Sequence, residues 1–587
     1  MSLTEILTEL FQNAFRSCDL PPELGEVRAS DRPELAQFQC NGAMPAAKVA
    51  RKNPREIAQQ VIDTVERGDV IARLDIAGPG FINIQVTNTA LVKSALREDS
   101  TLPQLARGET VILDYGGPNI AKPMHVGHLR TAIIGDVLRR MLNAVGYQAL
   151  GDIHMGDWGT HLGLLFNAYI DAGEEALVLE ADADNPEDVA RLFLDMAERY
   201  PAASAAAKAD ESGALQQQAR ETTVKLQQKE QPYLKMFENI RAVSVKGMEK
   251  NYAALNVHFD LWKGEAIVHD LIAPMVESLK QKGFAIEDDG AWIMPVAQND
   301  DKKEMPPLIL YKRDGGVMYG TTDLATLVDR AEEHDPAWVI YVVDQRQSLH
   351  FEQLFRAARR GGIITAETDL TFAGIGTMNG PDGKPFKTRA GGVMRLEDVI
   401  ETVTSKARER LDAADLAQDM DPEERARVAA QVGVAALKFA DLQNQRHQDY
   451  IFDLERMSAF EGKTGPYLLY QAVRIKSLLR KAADQGLAAG QLPDMPENLG
   501  AAEQALALRI VQFPDAFRLA LKNLTPHVLC EYLYSLATEF SSFYAACPVL
   551  VEPDTEVRDL RLELCRRTLD VLDRGLDLAG IDIPERM

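Results

Sequence analysis

Val111, Ile112 and Leu113 form a short unbroken apolar run, the pattern of a strand buried on both faces. Every regular period then stops between Asp114 and Met124, where Gly116, Gly117, Pro118, Asn119 and Pro123 interrupt the chain. From His125 the period changes. Leu129, Ile133, Val137, Met141 and Val145 recur every four residues, with Ile134, Leu138 and Leu142 beside them, which predicts an amphipathic helix. Strand, irregular loop and helix make the first half of a βαβ unit. In open α/β sheets ligands lie at the carboxyl ends of the strands, where a helix begins.

The same patterning divides the rest of the chain. Ile6, Leu7, Leu10 and Phe15 mark an opening helix whose acidic residues and missing basic flank argue against a signal peptide. Asn53-Pro54 reads as a helix start, Asn as cap and Pro at the first position. Phe81 to Val86 alternates as a strand does. Residues 1–108 are therefore expected to be an N-terminal α+β module. Residues 109–395 are expected to be a Rossmann-type α/β core with a parallel sheet. Within it, about 165–265 is polar, alanine-rich and helical by period. It reads as an insertion, a solvated face with no assigned chemistry. Strand patterning resumes at Leu308–Tyr311 and Trp338–Val343. Residues 396–587 are helix after helix, an all-α domain broken by one Gly/Pro-bearing connection at 485–500.

Composition narrows the classes. The formal net charge of −24 argues against non-specific DNA binding and against an anionic membrane surface. It leaves room for a specific RNA that meets local basic patches, such as the one with Lys48, Arg51, Lys52 and Arg55. No apolar run reaches the length needed to span a bilayer. Five scattered cysteines without a C-x-x-C pair fit a reducing cytoplasm.

Three stretches carry candidate chemistry. His125-Val126-Gly127-His128 puts two imidazoles three apart at the first turn of a helix, where ring N–H groups and the helix dipole suit phosphate oxygens. The same spacing fits a structural pair, or two ligands of a metal site completed by His154 and Asp157. Tyr319 and Asp323, four apart at a helix start, suit a guanidinium: a carboxylate for the forked N–H pair and a ring over its plane. An acidic residue complementing its own helix dipole explains Asp323 equally well. Asn379 to Gly392, with Lys384, Lys387 and Arg389, reads as a phosphate clamp or as an ordinary basic loop.

The segment PNIAKPMHVGHLRTAIIGD, through Asn119, Lys122, His125, Gly127, His128, Leu129 and Arg130, closely resembles the signature of class I aminoacyl-tRNA synthetases in the form carried by bacterial-type arginyl-tRNA synthetases. GDIHMGDWGTHLG (151–163) is similar to the family's second motif, and GPYLLY, FSSFYAACPVL and GIDIPERM resemble its helical anticodon-binding domain. The resemblance covers nearly the whole chain in order. It implies ATP-dependent activation of L-arginine, with Mg²⁺, and transfer to the 3′ end of tRNA(Arg), with activation commonly needing bound tRNA. It implies that His125, Gly127 and His128 hold ATP, and that Asp114, Asn119, Tyr319, Asp323 and Gln347 hold arginine, with Gln345 as the alternative to Gln347. The 379–392 loop resembles the place of the KMSKS motif. Pro385 stands where its first lysine belongs and Lys387 where its serine belongs, so Lys122, Lys384 or Lys387 is left to neutralise the pyrophosphate. Phe81, Asn83 and Gln85 match a strand that meets the tRNA D-loop. Tyr467, Tyr470, Tyr544 and Met587 match positions that meet anticodon bases. A cytoplasmic monomer without an editing domain is expected. Another adenylate-forming enzyme of the HxGH superfamily and a non-catalytic tRNA-binding paralogue are the rival readings.

Overall fold

A computed structural model describes residues 1–97, 102–122, 124–313, 315–380, 382–384, 394–414, 416, 420–487 and 499–587. The chain forms two compact units. One comprises 1–104, 410–435 and 459–587; the other comprises 105–409 and 436–458.

The second unit is built on a four-stranded parallel sheet. In chain order its elements are β1 (Thr110–Asp114), α1 (Gly127–Asn143), β2 (Gln148–Asp152), α2 (Tyr319–His334), β3 (Trp338–Tyr341), α3 (Ser348–Gly361) and β4 (Asp369–Phe372). The spatial order is β4-β3-β1-β2. The chain leaves β1 toward β2 on one side and returns with β3 on the other. The crevice between β1 and β3 is therefore a topological switch point, where such sheets bind ligands. Its carboxyl end is closed at Asp114, which is opposite Asp152 in β2 and Tyr341 in β3. Val111, Ile112 and Leu113 are fully buried, as their unbroken run requires. Ile112, Val339, Leu324, Leu327 and Leu354 share one core that joins the sheet to α2 and α3.

Tyr115, just past β1, locks α1 against the sheet. A Cβ at either Gly135 of α1 or Gly151 of β2 would run into its ring, and its hydroxyl donates to the His258 carbonyl.

Between β2 and α2 lie six helices, from Thr160–Ala172 to Glu265–Gln281, and then an antiparallel ribbon of Ile286–Asp288, Ala291–Met294 and Leu308–Tyr311. The Leu308–Tyr311 strand thus lies outside the parallel sheet. Its pattern carries the reason: Leu308 and Leu310 are buried while Ile309 is exposed, the alternation of a strand covered on one face.

In the first unit, an antiparallel sheet of Val27–Ala29, Phe38–Cys40, Phe81–Val86 and Ile71–Ala77, in that spatial order, is flanked by helices. Asn53 caps the Pro54–Thr64 helix by accepting from the Arg55 amide (2.9 Å), as the Asn-Pro pair predicts. This N-terminal part packs on the C-terminal helices of the same unit. Glu5 pairs with Arg518 (2.6 Å), and Gln504 donates to Asn88 (3.2 Å). The Arg567 guanidinium caps the last carbonyls of the Asn88–Leu96 helix at Ala95 and Arg97. Among the described residues no helix is long and apolar enough to cross a membrane.

Candidate active site

The turn between β1 and α1 shapes itself around its two histidines. The His125 amide donates to Nδ1 of His128 (3.2 Å), and the Gly127 amide donates to Nδ1 of His125 (3.0 Å). The rings stack with centroids 4.0 Å apart at 28°. Because both Nδ1 atoms accept, each neutral ring carries its proton on Nε2. Burial pushes the His128 pKa down to about 3, with His125 and Lys122 adding to it. Burial, then Lys122, also lowers that of His125. The pair is a set of two neutral donors. Gly127 makes room for the His125 ring, since a Cβ there would approach it to 2.8 Å.

The signature's remaining polar residues fasten this turn. Arg130, almost fully buried, pairs with Asp441 (3.0 Å) and donates to the Gln448 carbonyl (2.8 Å). Asn119 lies on Gly156 of the second glycine-rich segment, where a Cβ would meet its Oδ1. The Val126 amide donates to Met394 (3.0 Å) and the Leu396 amide to Met124 (3.0 Å), so the chain leaving the basic loop pairs directly with the histidine turn. The loop is entered from Met378–Asn379, which pairs with Tyr450–Ile451. Lys384 is exposed, its amide donating to Asp382 (3.1 Å). Lys387 lies outside the described residues. Lys122 follows Ala121, a non-glycine residue at φ +62°, and its ammonium lies over the ring of Tyr200.

At the carboxyl ends of β1 and β2 the acidic residues gather. Their organising residue, Arg330, was not evident from the sequence. Its buried guanidinium pairs with Asp114 (2.6 Å) and with Asp152 (2.7 Å). Burial raises the pKa of Asp114 against the pull of Arg330. Burial also works to raise Asp152, but the Arg330 charge and its hydrogen bonds, joined by His154, hold it below the usual range. One guanidinium is thus shared between two carboxylates.

Asp323 accepts from Nε2 of His350 (2.6 Å). Tyr319 is 76% exposed one turn earlier, and Gln347 is exposed just before α3. Tyr341 is buried within electrostatic reach of both Asp114 and Asp323. The buried Tyr341 hydroxyl interacts with Arg330, and His154 Nδ1 is buried with no hydrogen-bond partner among the described residues. Glu265 adds a carboxyl group raised to about 7 by burial, with His154 opposing and Asp157 and Asp323 reinforcing.

A signal for Arg330 was present. Tyr319, Asp323, Thr326 and Arg330 recur at spacings of four, three and four, one face of α2. That whole face is polar: Thr326 meets His154 (3.3 Å), as Asp323 meets His350.

The metal alternative built on His154 and Asp157 meets a different arrangement. Asp157 accepts from the Ala266 amide (2.8 Å) and from Arg241 (3.1 Å), which makes it the anchor of the Glu265–Gln281 helix. Among the described residues no three His, Cys, Asp or Glu side chains are grouped to hold a metal ion.

In the other unit, Phe81, Asn83 and Gln85 share the partly exposed face of their strand, while Ile82, Ile84 and Val86 are buried. Asn83 accepts from Gln39 (2.9 Å) and Gln85 donates to the Leu35 carbonyl (3.0 Å). Tyr470 and Tyr544 flank the Arg474 guanidinium at 4.9 and 5.3 Å, and Tyr467 meets Tyr534 at 5.8 Å. The tail ending in Met587 is tied to the helix that carries Tyr467 and Tyr470 by Lys476–Glu585 (2.7 Å).

Comparison with known proteins agrees with this architecture. Residues 91–454 match the model of the class I tRNA synthetase (R) catalytic domain, 468–587 that of the DALR anticodon binding domain, and 3–86 that of the arginyl tRNA synthetase N-terminal domain. The chain is 46% identical to an arginine--tRNA ligase of Hyphomonas neptunium and 44% identical to one of Maricaulis maris, each over 100% of both chains. The fold matches an arginyl-tRNA synthetase of Thermus thermophilus with a TM-score of 0.81 at 24% identity, covering 100% of both chains. It matches that of Plasmodium falciparum with a TM-score of 0.78 at 24% identity, covering 100% of this chain and 99% of the other. With its parallel sheet, paired-histidine turn and full-length relatives taken together, the chain belongs to the class I arginyl-tRNA synthetases.

Proposed function

We propose that the protein is an arginine–tRNA ligase whose chemistry is performed at the β1–α1 turn by positioned donors, with no side-chain nucleophile. The arginine carboxylate attacks the α-phosphorus of ATP, forming the mixed anhydride arginyl-adenylate and breaking the bond to pyrophosphate. The 2′-hydroxyl of the terminal tRNA ribose then attacks the arginyl carbonyl, loses its proton and releases AMP. Both steps gain from orientation and from fixed dipoles directed at developing charge. The Nε2–H groups of His125 and His128 donate to the transferring phosphate, and Gly127 lets the nucleotide approach the backbone. Lys122, aided by Lys384 or Lys387, neutralises the leaving pyrophosphate. Mg²⁺ has no ready-made carboxylate cage among the described residues and would arrive on the triphosphate, its usual mode of binding.

Arginine is held in the acidic crevice. Asp323 and Tyr319 take its guanidinium, Asp114 keeps that end of the crevice negative, and Asn119 and Gln347 contact its polar groups. Three functional modules follow, with the bounds read from the sequence: a D-loop-contacting module at 1–108 with Phe81, Asn83 and Gln85, the catalytic core at 109–395, and an anticodon module at 396–587 with Tyr467, Tyr470, Tyr544 and Met587. The partner is tRNA(Arg), and the enzyme works as a cytoplasmic monomer.

The observation that carries this reading is the turn in which backbone amides fix both imidazoles as neutral Nε2–H donors. The test is ATP–pyrophosphate exchange with each of the twenty amino acids, with and without total tRNA. Exchange with arginine alone, and only when tRNA is present, is the expected outcome. Exchange with another amino acid would overturn the pocket assignment, and exchange with arginine in the absence of tRNA would remove the coupling between modules.

A further inference from the structure

The helical insertion between β2 and α2 has no role in the scheme above, yet one of its side chains reaches the catalytic loop. Tyr200, on the Pro186–Ala209 helix, places its ring under the Lys122 ammonium, with Nζ 4.9 Å from the ring centroid. Among the described residues no carboxylate is paired with Lys122. The distinction is chemical. A carboxylate would hold the lysine by neutralising it and would compete with any phosphate oxygen. An aromatic face attracts the ammonium through its quadrupole and leaves the charge and the N–H donors available.

Tyr200 is itself fixed from both sides. Its neighbour Arg199 stacks on Tyr169 (4.4 Å) and pairs with Asp195 (2.9 Å) and Glu174 (2.5 Å), tying the insertion helix to Thr160–Ala172. Pro201, inside the helix, follows directly and removes one rung of its hydrogen-bond ladder. From the other side His161 meets Tyr200 edge-on, with ring centroids 6.4 Å apart at 88°. The His161 Nε2 is buried with no partner among the described residues. Burial, then Lys122, pushes its pKa down to about 3, so this ring stays uncharged beside the ammonium. The Lys122 charge lowers the pKa of three imidazoles, those of His125, His128 and His161.

We propose that Tyr200 is a positioning residue for Lys122: its ring holds the ammonium beside the histidine turn without neutralising it, ready for the phosphates of ATP. The proposal rests on the reading of Lys122 as a pyrophosphate-neutralising lysine. It gives the insertion a part in catalysis that its polar, charge-rich composition did not suggest.

The test is ATP–pyrophosphate exchange in the full-length enzyme with saturating tRNA, for wild type, Tyr200→Leu, Tyr200→Phe, Lys122→Met and the Lys122→Met/Tyr200→Leu double variant. Tyr200→Leu, which keeps apolar bulk but loses the ring, is expected to lower kcat about tenfold, the ratio that ~1.4 kcal/mol represents, with little change in the KM for arginine. Tyr200→Phe restores most of that loss. In the Lys122→Met background the leucine substitution adds no further loss, since the ring then has nothing to hold. A Tyr200→Leu enzyme at the wild-type rate, with Lys122→Met impaired, overturns the role of Tyr200 alone. An equal loss from Tyr200→Leu in both backgrounds shows the ring to be packing only, and does so even where that variant is less stable. A Lys122→Met enzyme at the wild-type rate overturns the lysine assignment, and the proposal with it.

Discussion

Each histidine of the turn commits its Nδ1 lone pair to a backbone amide, so protonating either ring breaks a hydrogen bond that shapes the turn. Two predictions follow from this geometry. First, on the proposed mechanism His128→Ala removes a donor to the transferring phosphate and should lower kcat for tRNA charging by about 10²–10³, the usual cost of one such donor, with tRNA binding by filter assay retained. Second, stability should depend on pH in a definite direction. The unfolded chain protonates His128 near its ordinary value, whereas the folded chain does so only near 3. Between those values the unfolded state binds more protons, so stability is full above the ordinary histidine range and falls as pH drops below it. Urea melts at pH 7.5 and 5.5 should show this loss, and His128→Gln should reduce it, leaving the part contributed by the equally buried His161 and by His125. Asp323→Asn tests the crevice. Losing one charge-assisted contact to a guanidinium costs about 1.5–3 kcal/mol, which should appear in the KM for arginine. A change confined to the KM for ATP would place arginine elsewhere.

Among the elements, α2 carries the most consequence. Its polar face holds Asp323 toward His350, Thr326 toward His154 and Arg330 between Asp114 and Asp152. Arg330→Met should destabilise the unit by about 3–5 kcal/mol, because it strands two buried carboxylates, and thermal melting should report it. This element also shows what was legible in advance. The strand, loop and helix from Val111 to Val145 could be read because their periods are local and strong. Tyr319 and Asp323 could be read because one turn of helix brings them together. The Asp114–Arg330–Asp152 group could not be read, since its members lie on three elements and only the fold makes them neighbours. The same holds for Tyr200 and Lys122. At Leu308–Tyr311 the local pattern correctly gave a strand, but sheet membership depended on which faces are covered, and the alternation of Ile309 with its neighbours was the cue.

At the scale of the whole molecule, sequence order and compactness divide the chain differently. Periodicity suggests three consecutive stretches, whereas packing gathers 1–104 with 410–435 and 459–587 into one unit. Its joints are specific: Glu5 with Arg518, Asn88 with Gln504, and Arg567 on the carbonyls that end the Asn88–Leu96 helix. Arg567→Ala should cost about 1.5–3 kcal/mol, the worth of hydrogen bonds from a charged donor, and should make the N-terminal module more susceptible to limited proteolysis. None of these joints is visible as a local pattern, because their partners are hundreds of residues apart. The net charge of −24 is equally silent about local arrangements such as Arg474 between Tyr470 and Tyr544. The joints have a further consequence, in the order of synthesis. The residues that form the near side of this unit leave the ribosome first, and those that complete it leave last. At roughly 5–20 residues per second, the first hundred residues wait on the order of 20–80 s for their partners. During that interval the apolar side of the Asn88–Leu96 helix, with Leu91, Val92 and Ala95 buried in the finished protein, has no native cover from the C-terminal helices. The newborn chain therefore offers a binding surface to chaperones that the mature enzyme lacks, and the final helices end that exposure as they fold.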